Sequence, residues 1–217
     1  MIVRLLRSKA FVTTLIVLPG LWPAVPILRG NPTVMADPLK YILHHLGFVA
    51  CLLLVTVLTF TPLVVLFPRS EIARTLNLHR TRVGVSAFVY AAVHFTTHLV
   101  YEGGPAILKS DIQKPFLLSG LTAFAILTVL AATSTRTAER ALGGRRWKRI
   151  HRLAYVAAAL VAFHQALAKK LIPAQVFWIF VPLAVLELLR VVVRGSRKRG
   201  AGSESLTEPG GTGASGG

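Results

Sequence analysis

The chain has 217 residues, 53% of them hydrophobic and only 15% charged, with a mean hydropathy of +0.62. That is too apolar for an ordinary soluble domain and points to a membrane protein. A formal charge of +17 would suggest nucleic acid in a soluble chain, but the basic residues fall in short segments between apolar runs, which excludes that partner.

A spanning helix needs about 20 mostly apolar residues, and six runs present themselves in chain order. The first covers 11–28. It has the basic start and apolar middle of a signal peptide, but no A-x-A-like site follows, so it is expected to be retained and bent at Pro19, Pro23 and Pro26. The second covers 42–67 and holds the single cysteine, Cys51, which rules out an intrachain disulfide. The third, 83–101, carries His94 and His98, and the fourth covers 116–132. The fifth, 153–168, is short unless 150–152 join it, and the sixth covers 171–193. The segment 200–217, "GAGSESLTEPGGTGASGG", is Gly/Ser-rich and expected to be disordered. The organisation expected is one transmembrane domain over 1–199 and a cytoplasmic tail over 200–217.

With the N-terminus inside, 19 of the 25 basic residues lie on the inner side and six (Arg29, Lys40, Lys109, Lys114, Lys169 and Lys170) on the outer. This is the positive-inside pattern, and it predicts an all-α, six-helix bundle with both termini in the cytoplasm. In the segment "GGRRWKR" the simplest role for the charges is topogenic, with Trp147 at the interface.

Ionisable residues within spans are functional hypotheses by default. His94 lies twelve residues beyond Arg82 on the third span, and His164 twelve beyond Arg152 on the fifth. At 1.5 Å per residue both stand ~18 Å above the inner boundary of a ~30 Å core. Two parallel helices with one histidine each at equal depth are what a bis-histidine b-type heme requires, one imidazole per iron face. His151 is ~20 Å from His164 along a helix axis and cannot share that iron. It belongs to a second site at the cytoplasmic edge, with His79 the nearest candidate partner, or to none. His44 enters the second span near the outer heme, as a propionate contact or an alternate ligand, whereas His45 points about 100° away. The pair in "HFTTH" has zinc-binding spacing, but no glutamate follows the first histidine, so a protease is excluded. No Walker loop, G-x-S-x-G or Cys-x-x-Cys is present.

Several longer stretches carry a resemblance: "ADPLKYILHHLG" at 36–47, "LTFTPL" at 58–63, "RTRVGVSAFVYAAVH" at 80–94, "KPFLLSG" at 114–120 and "ATSTRTAERALGGRRWKRIHRLAYVAAALVAFH" at 132–164. Their order and spacing, over roughly residues 30–190, resemble the MsrQ family, within the wider ferric-reductase-like transmembrane group. The resemblance implies a bacterial inner-membrane protein with one or two b-type hemes and flavin mononucleotide (FMN), whose contact residues it does not identify. It implies electrons from the quinone pool or a cytoplasmic flavin reductase, passed to a periplasmic molybdopterin-containing subunit that reduces methionine sulfoxide in proteins. The family's histidines fall on His44, His94, His151 and His164, while His45, His79 and His98 match no family position. The expected role is electron transfer and not substrate chemistry. The rival readings are a ferric or cupric reductase, a cytochrome b561-like quinol oxidoreductase, and a small proton-coupled transporter.

Overall fold

The computed structural model describes residues 2–106, 113–168 and 174–204, with side chains to 197. Among them every regular element is helical: α1 (Ile2–Arg7), α2 (Lys9–Leu21), α3 (Ala24–Leu28), α4 (Pro32–Met35), α5 (Pro38–Leu66), α6 (Glu71–Leu78), α7 (Arg80–Tyr101), α8 (Pro115–Ala132), α9 (Arg136–His151), α10 (Leu153–Ala168) and α11 (Ala174–Glu204). Among the described residues five stretches are long and apolar enough to cross a membrane: Pro38–Leu66, Arg80–Tyr101, Pro115–Ala132, Arg136–Ala168 and Ala174–Arg197. The chain is therefore an all-helical, multi-pass membrane protein.

Local chemistry sets the ends of these helices. Asp37 Oδ1 accepts from Lys40 N at 3.1 Å with Pro38 at the first helical position of α5, and Ser70 Oγ caps α6 through Ala73 N at 3.3 Å. Thr135 Oγ1 accepts from Ala138 N at 3.1 Å and starts α9, so the basic segment expected only as a connection is itself helical. Gly143, at φ 71° and ψ 148°, breaks α9 with a backbone conformation that only glycine adopts readily.

The first expected span is divided. The 13 residues of α2 reach about 20 Å, short of a ~30 Å hydrocarbon core. Pro23 ends the run: it has no N–H to give the Pro19 carbonyl four residues back. The His45 imidazole takes that place, its Nε2 donating to Pro19 O at 2.7 Å. The last expected span begins on residues outside those described and runs further than expected, to Glu204. Of the expected disordered tail, 205–217 lie outside the described residues.

Packing explains which faces are buried. The central helix is α5, which packs most extensively on α7 and also receives α11, while α8 and α10 form a second close pair. Leu54, Leu58 and Phe60 of α5 meet Ala87 of α7, Leu127 of α8, Ala157 of α10 and Leu183 of α11 in one core. Ala157 is 0% and Ala87 1% exposed, so small side chains mark the closest helix approaches, as expected where lipid offers no hydrophobic driving force. Large apolar side chains such as Trp178, Leu188 and Phe163 point outward, on faces suited to lipid. One polar tie joins α10 to α11: Glu187 pairs with Arg190 at 2.8 Å, Tyr155 OH donates to Glu187 Oε1 at 3.1 Å, and Arg190 Nη1 donates to Tyr155 OH at 3.0 Å.

Candidate functional site

Four long helices, α5, α7, α8 and α10, surround a cavity of about 410 Å³. That lies within the range of ~300–1,000 Å³ typical of cofactor and ligand pockets. Its walls are mainly apolar, with Phe95, Phe124, Leu121 and Val161 among them, and His44, His94, His98 and His164 face it together with Gln165.

His94 comes from α7 and reaches across to α5, where its Nδ1 donates to the Leu43 carbonyl at 2.9 Å. His164 comes from α10 and reaches across to α8, where its Nδ1 donates to the Phe116 carbonyl at 2.7 Å. With Nδ1–H committed to a carbonyl, the neutral imidazole carries its lone pair on Nε2, the usual preparation of a metal-ligating histidine. The two ring centroids are 6.4 Å apart and the ring planes cross at 83°. An imidazole nitrogen lies about 2 Å from a bound metal and its ring centre about 1 Å further, so imidazoles on opposite faces of one ion have centroids roughly 6 Å apart. The pair therefore fits one metal ion held between two rings. A donor set of two histidines suits a metal that brings its other ligands in a macrocycle.

Glycines make room for both rings. A Cβ on Gly47 would stand 2.8 Å from His94 Cε1, and one on Gly120 would stand 2.8 Å from His164 Nδ1. Phe116 also lies beside the His164 ring, at 6.2 Å between centroids.

The other predicted residues separate from this pair. His44 and His98 line the same cavity. His45 lines it too, but its Nε2 is engaged by Pro19 O and its ring stacks on Tyr41. His151 closes α9, whereas His164 sits on α10, so the two ends of "HRLAYVAAALVAFH" belong to different helices. The His151 ring stacks on Trp147 at 4.0 Å, and its Nε2 is hydrogen-bonded with Thr133 Oγ1 at 3.3 Å. Trp147 is fixed in turn, Nε1 donating to Thr133 O at 2.9 Å. His79, the candidate partner of His151, is engaged elsewhere. It is buried, its Nε2 donates to Leu6 O at 2.8 Å and its Nδ1 receives Arg82 Nη1 at 3.2 Å.

Sequence reasoning missed Gly47, Gly120 and the carbonyls of Leu43 and Phe116. Their signal was present in "ILHHLG" and "FLLSG", where a glycine follows the carbonyl residue by four positions, but only the packing shows which histidine each one serves.

The chain is similar to known membrane proteins. Residues 46–162 match the family described as ferric reductase like transmembrane component. The protein-methionine-sulfoxide reductase heme-binding subunit MsrQ of Brucella ovis is 36% identical over 160 residues, covering 72% of this chain and 69% of its own. The MsrQ subunits of Brucella canis and Brucella suis match with the same identity and coverage.

Proposed function

The chain belongs to the MsrQ family of the ferric-reductase-like transmembrane group, and on that premise we propose that it carries electrons across a bacterial inner membrane to a methionine-sulfoxide reductase. The observation that carries this reading is the His94–His164 pair, two imidazoles 6.4 Å apart, each giving Nδ1 to a backbone carbonyl and so keeping Nε2 for a metal. A heme b held there supplies one-electron chemistry when bound. The chain's own residues do the rest. His94 and His164 would hold the iron, the Leu43 and Phe116 carbonyls orient their rings, and Phe95, Phe124 and Leu121 give the cavity an apolar wall.

The direction of transfer is part of the same proposal. The distribution of basic residues, 19 of 25 on one side, supports cytoplasmic termini and an outward-lying heme. The sixth crossing is assigned to α2 and α3 together, held to the bundle by His45 and by Tyr90, whose OH donates to Ile16 O at 2.8 Å. Electrons enter at the arginine-rich end, where the aromatic stack of Trp147 and His151 stands near the membrane edge as a second cofactor or contact site. The donor is the quinone pool or a cytoplasmic flavin reductase, FMN is the second cofactor, and a periplasmic molybdopterin subunit is the acceptor. His44, on the cavity wall, is a contact for the heme's carboxylates or an alternate ligand.

The test is an absorption spectrum of the detergent-purified protein, oxidised and dithionite-reduced, with acid-released flavin measured alongside. A Soret band with sharp reduced α and β bands is expected, and a colourless protein after expression with ample heme sinks the reading. The match to the ferric-reductase-like group favours one rival, direct reduction of ferric ions. Reduced protein that is reoxidised by ferric chelates, but not by a molybdopterin methionine-sulfoxide reductase, would establish that rival instead.

A further inference from the structure

The two histidine seats are one device built twice, and a third copy outside the cavity shows how it works. In an α-helix the carbonyl of residue i accepts from the N–H of residue i+4 and keeps a second lone pair. The side chain at i+4 stands beside that oxygen, and a glycine there uncovers it. Leu43 is followed by Gly47, Phe116 by Gly120 and Ile16 by Gly20. Each of these carbonyls receives a polar side chain from another helix: His94 at 2.9 Å, His164 at 2.7 Å and Tyr90 at 2.8 Å. In all three cases the incoming ring occupies the space where the glycine's Cβ would be. A general need for close helix packing would not predict this coincidence of spacing, acceptor and ring.

We propose that Gly47 and Gly120 are positioning residues for the axial histidines: each glycine, with the carbonyl four residues before it, fixes the tautomer and rotation of one imidazole, and the two seats together hold the ring planes nearly perpendicular. The inference rests on the heme reading above and deepens it. Its content is the 83° angle, since rings that turned freely would have no set angle, whereas rings anchored at Nδ1 to two different helices do. Perpendicular axial imidazoles donate into different iron d-orbitals and leave a low-spin ferric ion strongly anisotropic. Axial ligation and its hydrogen bonds are also levers on reduction potential.

The experiment is electron paramagnetic resonance on the oxidised, heme-loaded full-length protein, followed by the same measurement and a potentiometric titration on G47A, G120A and G84A. The wild-type protein is expected to show a single low-field feature of a highly anisotropic low-spin iron. A rhombic spectrum with three well-separated g-values, in a protein that is coloured and low-spin, overturns the inference and leaves the heme reading standing. A protein without heme overturns the reading beneath it. An added Cβ at Gly47 or Gly120 forces the ring to turn or withdraw, because real Cβ contacts do not fall below 3.0 Å. Each variant is therefore expected to move toward the rhombic form, shift its midpoint potential, or retain heme about 10- to 100-fold more weakly, as loss of an outer-shell partner does. Heme loss with helical circular dichroism intact counts in favour. Unchanged spectra and potentials in both overturn the inference. Gly84 is the control on the same helix as His94: its Cβ would meet only Val57 Cγ2, at an ordinary 3.8 Å, and G84A is expected to match the wild type. Should both site variants fail to fold, the wild-type spectrum still decides.

Discussion

At the cavity end of the bundle, His94 and His164 each give Nδ1 to a carbonyl of a neighbouring helix and face one another across an apolar space. At the arginine-rich end, His79 has both ring nitrogens engaged, by Leu6 O and by Arg82, while His151 shares a hydrogen bond between Nε2 and Thr133 Oγ1 and lays its ring on Trp147. The residue type is the same and the membrane is the same, yet the first two rings lie 6.4 Å apart with Nδ1 committed alike, while His79 and His151 are engaged differently. The lesson lies in which nitrogen is spent: an imidazole tied at Nδ1 by a fixed carbonyl presents Nε2, whereas His79 has neither ring nitrogen left to present.

The comparison breaks most visibly at His164. H164A removes a direct ligand, so heme per protein, read by pyridine hemochrome, should fall at least about a hundredfold, beyond the 10–100-fold typical of outer-shell changes. Equal heme retention would erase the distinction between the two ends. H151A, by contrast, is expected to keep the Soret band of the His94–His164 site while slowing reduction by a quinol or flavin reductase by about tenfold or more. W147L removes the stack that holds His151 and should slow the same step by less, again with heme content intact. The smallest effect is expected at His45. H45A removes the imidazole from the Pro19 carbonyl, which keeps only Trp22 N, and loosens α2, costing about 1 kcal/mol or less in thermal stability, with the absorption spectrum unchanged.

Most of the fold was legible because hydropathy within a bilayer is a strong constraint. The four spans carrying the cavity start and stop close to where apolar runs and charges set them, and 153–168 was read to the residue. The break between α2 and α3 was only half visible: the prolines announced a bend, but the length left to α2 depends on Pro23 removing a donor. The helical α9 was hidden because its residues are charged, and its start rests on the Thr135 cap and not on any apolar period. In the site, depth arithmetic from Arg82 and Arg152 brought out His94 and His164. It was blind to Gly47 and Gly120, because a glycine's role is defined by the neighbour that enters the space it leaves. Trp147 was only half legible for the same reason. It looks like an interfacial anchor in sequence, and its partners, Thr133 and His151, are recognised only once α8 and α9 are set side by side.

The tie among Tyr155, Glu187 and Arg190 bears on how the chain reaches the membrane. Glu187 and Arg190 are one helical turn apart on α11, so their charges meet within a single segment before any other helix is present. A charged side chain inside an apolar span is costly to insert, and a pair that neutralises itself lowers that cost for this segment. Tyr155 on α10 then supplies a hydroxyl that both partners can use, giving the newly inserted segment a preferred place to dock.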